Sequence, residues 1–277
     1  MGNLLFLFIV SFHFSFAAIF SYDDRKEAVN HPMSSSVVAL FFKSELKFEN
    51  ESYSFKNNRP LKNTFEQRIS VRGVKRPGTP MCESEKFIDQ QSQSFCSGTL
   101  IAPDVVLTAR HCVYNEEACS STYFAFDYHD GNESFDKSNV YSCRSILDGS
   151  EGYSKEDDWV LIQLDRKALN RKPAKINSNL NQIKKGTSIY SIGTPSGLPL
   201  KITKGKIQNI GQTTIDYNLN LFTYSSGSPI FSSETNELLA IHILGSSLPD
   251  YYRDGACIRA QVCKNGCDYL KGNIILN

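Results

Sequence analysis

An excess of charge of either sign is missing from this chain. Its 277 residues carry 30 basic and 29 acidic side chains, a net charge of +1, with no long basic run. That removes the electrostatic footprint of a nucleic-acid-binding domain, and no nucleic-acid partner is expected. Long helical periodicity is missing too, which excludes a parallel α/β fold, because such a fold needs helices between its strands. Phosphate-loop spacing is absent between Gly193 and Gly205, and the acidic clusters lack the twelve-residue calcium-loop pattern. Among the eight cysteines no C-x₂-C pair occurs, and no histidine lies near Cys263 and Cys267, so a zinc site is not expected. No cofactor and no metal follow from these absences.

Apolar runs long enough to span a bilayer are also lacking. The N-terminal run at positions 4–16 is too short for that, and Ser15-Phe16-Ala17 offers small residues at the positions that leader cleavage needs. The expectation is a signal peptide at 1–17, cut after Ala17. The mature chain, 18–277, would then be secreted and extracellular, without stable membrane association. Eight cysteines fit that route, since an even count in an oxidising compartment permits four disulfides.

What is present is a series of short apolar runs separated by turn residues. Examples are S-V-V-A-L-F-F (36–42), G-T-L-I (98–101), V-V-L-T-A (105–109), W-V-L-I-Q-L (159–164) and L-L-A-I-H-I-L (238–244). They predict an all-β chain in two halves, with N-R-K-P-A-K (170–175) as the crossover. Residues 43–68, rich in Lys, Glu, Asn and Ser, read as a long surface excursion.

Three places hold chemistry. L-T-A-R-H-C (107–112) puts His111 at a strand end, between Arg110 and Cys112. A bridge from Cys112 to Cys96 would pin the histidine loop, for catalysis or for structure alone. E-D-D-W-V-L-I-Q-L (156–164) sets Asp157 and Asp158 at the mouth of a strand, where a carboxylate can fix an imidazole tautomer. The other reading of either aspartate is a solvated acidic turn. Y-S-S-G-S-P-I-F (224–231) describes a tight turn entering a strand, in which Ser226 can present its hydroxyl. The backbone N–H groups of Ser226 and Tyr224 can point at a developing oxyanion. Such turns are also common on surfaces. The order histidine, aspartate, serine is the order of the chymotrypsin triad and differs from those of subtilisin and the α/β-hydrolases.

With those residues in view, the chain resembles the trypsin-like (chymotrypsin-fold) serine peptidases, and within them the bacterial V8-like glutamyl endopeptidases. F-C-S-G-T-L-I, V-V-L-T-A-R-H-C, D-D-W-V-L-I-Q-L and S-G-S-P-I-F carry the resemblance. M-C-E-S-E-K-F-I-D-Q (81–90), I-G-T-P-S-G-L-P-L-K (192–201) and Y-D-D-R (22–25) are similar to further segments of that branch. The resemblance implies a chymotrypsin-like double β-barrel with the active site between the barrels. The first barrel would run over about 18–170 and the second over about 175–250, leaving a cysteine-containing tail at 251–277.

Residue by residue, the resemblance implies His111 as general base, Ser226 as nucleophile and Asp158 as orienting carboxylate, with Asp157 the alternative. It implies a Cys96–Cys112 disulfide. Cys119–Cys143 is expected from proximity alone, and Cys82, Cys257, Cys263 and Cys267 are left unassigned. His242 matches a histidine of the primary specificity pocket, where it would pair with a substrate glutamate. Its other reading is a hydrogen-bonded histidine of the core.

Four departures from the family stand out. Arg110 replaces an alanine, Tyr224-Ser225 replaces Gly-Asn or Gly-Asp, and Ser225 leaves no acid to receive a new amino terminus. Leu221 replaces a threonine that helps to bind the carboxylate. The implied function is a secreted serine endopeptidase acting as a monomer on polypeptides, with acidic P1 residues as the candidate preference. The alternatives are a weak or inactive peptidase-like domain that binds a protein partner, and an esterase on the same triad.

Overall fold

The computed structural model describes residues 19–63, 79–152, 154, 156–179, 181, 183–245, 250–263 and 268–275. The expected signal peptide, its cleavage site and Cys267 lie outside the described residues. No described helix is long and apolar enough to cross a membrane.

Two six-stranded barrels account for the apolar runs. The first is built from β1 (Val37–Phe42), β2 (Cys96–Ala102), β3 (Val105–Thr108), β4 (Thr122–Ala125), β5 (Val140–Gly149) and β6 (Val160–Leu164). They close in the order β1-β2-β3-β6-β5-β4. β6 shows the reason in its sequence: Val160, Ile162 and Leu164 are fully buried while Leu161 and Gln163 between them are half-buried. That period of two is a strand with one face on the core. β1 instead buries five consecutive residues, Val37 to Phe41, because its outer face is covered as well. Its cover is a three-stranded sheet of Leu46–Glu49, Ser52–Phe55 and Ser134–Asp136, whose Phe55 and Phe135 pack on Phe41. The expected surface excursion from residue 43 thus contains a hairpin held against the barrel by aromatic contacts.

The second barrel uses β7 (Ser188–Gly193), β8 (Lys201–Ile210), β9 (Thr214–Tyr217), β10 (Pro229–Ser232), β11 (Leu238–Leu244) and β12 (Leu270–Ile274). Its order, β7-β8-β9-β12-β11-β10, repeats that of the first barrel, and β7 pairs with both β8 and β10 to close it. This corrects the expected boundary at residue 250. β12 comes from the segment read as a tail, yet it pairs with β9 and β11 and is the barrel's sixth strand. Its sequence, L-K-G-N-I, lacks the β-branched alternation that marks a strand, and its place is set by its partners.

One apolar cluster runs through the first barrel and on into the second, joining Leu100, Val106 and Phe124 to Tyr190, Phe231 and Ile241. A second fills the other barrel around Ile189, Ile207, Ile215 and Leu239. A third, with Ile19, Leu198, Phe222 and Tyr251, seats the N-terminal segment against the second half. Disulfides Cys96–Cys112, Cys119–Cys143 and Cys82–Cys257 are present, and Cys263 is bridged as well.

Candidate active site

β3 ends at Thr108 and the chain turns immediately: Cys112 N–H bonds the Ala109 carbonyl, and Val113 N–H that of Arg110. The Cys96–Cys112 bridge ties this turn to the start of β2. His111 stands at its apex with 31% of its side chain exposed, whereas Asp158 beside it keeps 5%. His111 Nδ1 lies 2.6 Å from Asp158 Oδ2, and the His111 backbone N–H donates to Asp158 Oδ1 at 3.0 Å. One carboxylate thus fixes both the ring and the backbone of the histidine. With Nδ1 as the donor, Nε2 carries the lone pair. Asp157, by contrast, is exposed, and its N–H is held by Ser154 Oγ. Of the two aspartates, Asp158 is the one that meets the histidine.

Asp158 is itself anchored from the other barrel. Its N–H donates to Asn273 Oδ1 at 2.7 Å, and Asn273 Nδ2 donates to the carbonyls of Glu156 and Thr213. Asn273 is buried on β12. Nothing in the sequence marks it, because the contact depends on a strand that closes only through distant partners.

Ser226 lies in the turn before β10 and is half-buried. Its carbonyl accepts from Ser97 N–H at 2.8 Å, and Gly227 N–H donates to the His242 carbonyl at 2.8 Å. Gly227 has φ +80, and a Cβ there would run into the Ser97 carbonyl and the Thr108 hydroxyl. Glycine is therefore required on both counts, conformation and space. The close approach also brings the serine turn against Thr108 and Ala109, the residues that lead into His111.

Tyr224, proposed for the oxyanion, takes φ +73, the left-handed region that favours glycine. Its carbonyl accepts from Thr194 Oγ1 at 3.1 Å. A side chain with a Cβ holds this conformation at an energetic cost. Ser225 is fully buried, and its N–H bonds the Phe222 carbonyl within the same loop.

His242 sits on β11, 3% exposed, with Nδ1 2.7 Å from the Tyr217 hydroxyl. Burial, the nearby His111 and a backbone contact to Lys271 act on it, and the first dominates, lowering its pKa to about 3. This ring is neutral across the ordinary range. Leu221 is buried and apolar, and its side chain offers no donor. The ligand atoms of Cys96, His111 and Cys112 lie within 4.8 Å of one another, but the two sulfurs are bonded to each other. A disulfide has no thiolate to give, so the trio does not fit a metal.

The profile described as "Trypsin-like peptidase domain" matches residues 96–241, just over half of the chain. The chain belongs to the trypsin-like peptidase family. That stretch holds His111, Asp158 and Ser226, while His242 falls one residue beyond it. Among solved structures, the trypsin-like chain is similar to a Glu endopeptidase determined in complex with MPD. The two share 17% identity at a TM-score of 0.55, over 93% of this chain and 94% of the other. At that identity the likeness speaks for the fold, the double β-barrel of chymotrypsin-like serine peptidases. No curated protein matches the sequence.

Proposed function

We propose that this trypsin-like domain is a secreted serine endopeptidase whose triad is His111, Asp158 and Ser226. The observation that carries the reading is the double hold of Asp158 on His111, through Nδ1 at 2.6 Å and the backbone N–H at 3.0 Å. Ser226 Oγ attacks the scissile carbonyl as His111 Nε2 takes its proton, and Asp158 stabilises the imidazolium. The N–H groups of Ser226 and Tyr224 hold the oxyanion. His111 then protonates the leaving amine, and water releases the acyl-enzyme.

For the P1 side chain, the proposal is an acidic residue met by His242. Because that imidazole is neutral, recognition would rest on a hydrogen bond and not on charge, and Leu221 contributes no second donor. This makes acidic selectivity modest.

Active-site titration of the purified mature protein with a fluorophosphonate tests the triad. Stoichiometric modification at Ser226, abolished by His111→Ala, is expected. Well-folded protein that takes up no label overturns the reading in favour of a partner-binding domain. Digestion of a mixed peptide library gives the P1 preference in the same preparation, and ester turnover without peptide cleavage would mark an esterase.

A further inference from the structure

The loop that carries Tyr224 and Ser226 has an unusual support. A tyrosine at φ +73 persists only where its surroundings leave it no alternative, and the residues just before it are tied to the N-terminal segment. Asn220, 3% exposed, is the first tie. Its Oδ1 accepts from Phe20 N–H at 2.7 Å, and its Nδ2 donates to the Tyr22 carbonyl at 2.8 Å and to Asp24 Oδ1 at 2.7 Å. Asp24 also accepts from Thr203 Oγ1 at 2.6 Å and Lys204 N–H at 2.8 Å, and Thr203 Oγ1 accepts from Asn220 N–H. The result is a closed ring of hydrogen bonds joining Asp24, Asn220 and β8.

Arg25 is the second tie. It is 1% exposed, and its guanidinium lies over the Phe222 ring, 3.9 Å from the centroid. Asp23 grips the edge of the group, accepting from Nε at 2.8 Å and Nη2 at 2.7 Å. A cation buried this completely is held by its partners, and one of them is the residue two before Tyr224. From Phe222 the order passes up the loop, since Ser225 N–H bonds the Phe222 carbonyl and Ser196 N–H that of Thr223. Thr223 N–H is fixed in turn by Asp250 Oδ2 at 2.6 Å.

We propose that Asp23, Asp24 and Arg25 form an internal brace that holds residues 220–225 in the shape the oxyanion site needs, through side chains and without a free amino terminus. The proposal rests on Tyr224 and Ser226 supplying the oxyanion donors. Asp24, Arg25 and Asn220 are positioning residues and touch no substrate. Ser225 offers no carboxylate to an incoming ammonium, and the brace supplies the missing order from within the chain.

The test uses the full chain and the variants Asp24→Ala, Asn220→Ala and Arg25→Met, with hydrogen exchange and steady-state kinetics on a peptide substrate. Exchange at Ser225 and Ser196 should quicken by about tenfold or more, while barrel amides such as Leu107 and Ile162 keep their protection. kcat should fall by about ten- to a hundredfold with KM within about threefold, as partial loss of an oxyanion donor predicts. A mature chain extended on the N-terminal side of residue 18 should keep wild-type kcat. Unchanged exchange in the three single variants overturns the brace, as does loss of activity on extension. Wild-type protein that is not labelled at Ser226 would sink the peptidase reading, while the exchange data would still decide the brace. Should Arg25→Met fail to fold, Asp24→Asn alone supplies the milder perturbation.

Discussion

The left-handed Tyr224 can be weighed by comparing alanine with glycine at that position. Alanine removes the ring but keeps the Cβ that makes φ +73 unfavourable, and glycine removes both. The left-handed conformation costs a side-chain-bearing residue about 1–2 kcal/mol. Glycine gives back about 0.5–1 kcal/mol through the extra freedom of the unfolded chain. The difference leaves Tyr224→Gly about 1 kcal/mol more stable than Tyr224→Ala, which in a chain of this size is a shift of about 2–4 °C in Tm. Urea unfolding of both variants and the wild type measures it. The proposed oxyanion donor is a backbone N–H, so kcat should stay within a few-fold in both variants. Two results would refute the reasoning: Tyr224→Gly no more stable than Tyr224→Ala, or a hundredfold drop in kcat in both. The first would mean that the loop relaxes to negative φ, and the second that the tyrosine ring acts on substrate.

Other expectations follow from the same geometry. Gly227→Ala should cost several kcal/mol, because its Cβ meets backbone and hydroxyl with no room to move; a cooperative melt at wild-type temperature would contradict it. Replacing Cys96 and Cys112 together by alanine frees a loop with a sequence separation of 16, worth about 3 kcal/mol by loop-closure entropy, and calorimetry checks it. His242, with its folded pKa lowered to about 3, binds its proton mainly in the unfolded chain. Its stability contribution is therefore whole above about pH 6.5 and is lost as pH falls toward about 3, at close to 1.4 kcal/mol per unit. Denaturant unfolding at pH 4 and pH 7 should show that loss in wild type and a smaller one in His242→Phe. Equal losses would show that the imidazole does not titrate as described.

The parts of the fold that lie in local pattern could be read from the sequence. The alternation of β6 and the continuous apolar run of β1 announce strands on their own, and the triad candidates sit at the ends of such runs. Asp158 was separable from Asp157 only by resemblance, since both precede the same strand; the difference is that Asp158 reaches the imidazole and Asp157 faces solvent. β12 was hidden because L-K-G-N-I has no strand signature until β9 and β11 flank it. Asn273 and Asn220 were hidden for the same reason, being polar residues whose partners are 115 and about 200 positions away. Arg25 ends the Y-D-D-R segment, but its burial under Phe222 depends on the closed second barrel.

The place of β12 also has a consequence in time. During synthesis the first barrel is complete once residue 164 has emerged, but the second cannot close before Ile274. Until then Asp158 N–H lacks Asn273, and Gly272 has not yet come up beside His242. A nascent chain released early would carry Asp158 without its anchor on the last strand. The second barrel is therefore the last part of the fold to close, and it closes with the strand that anchors Asp158.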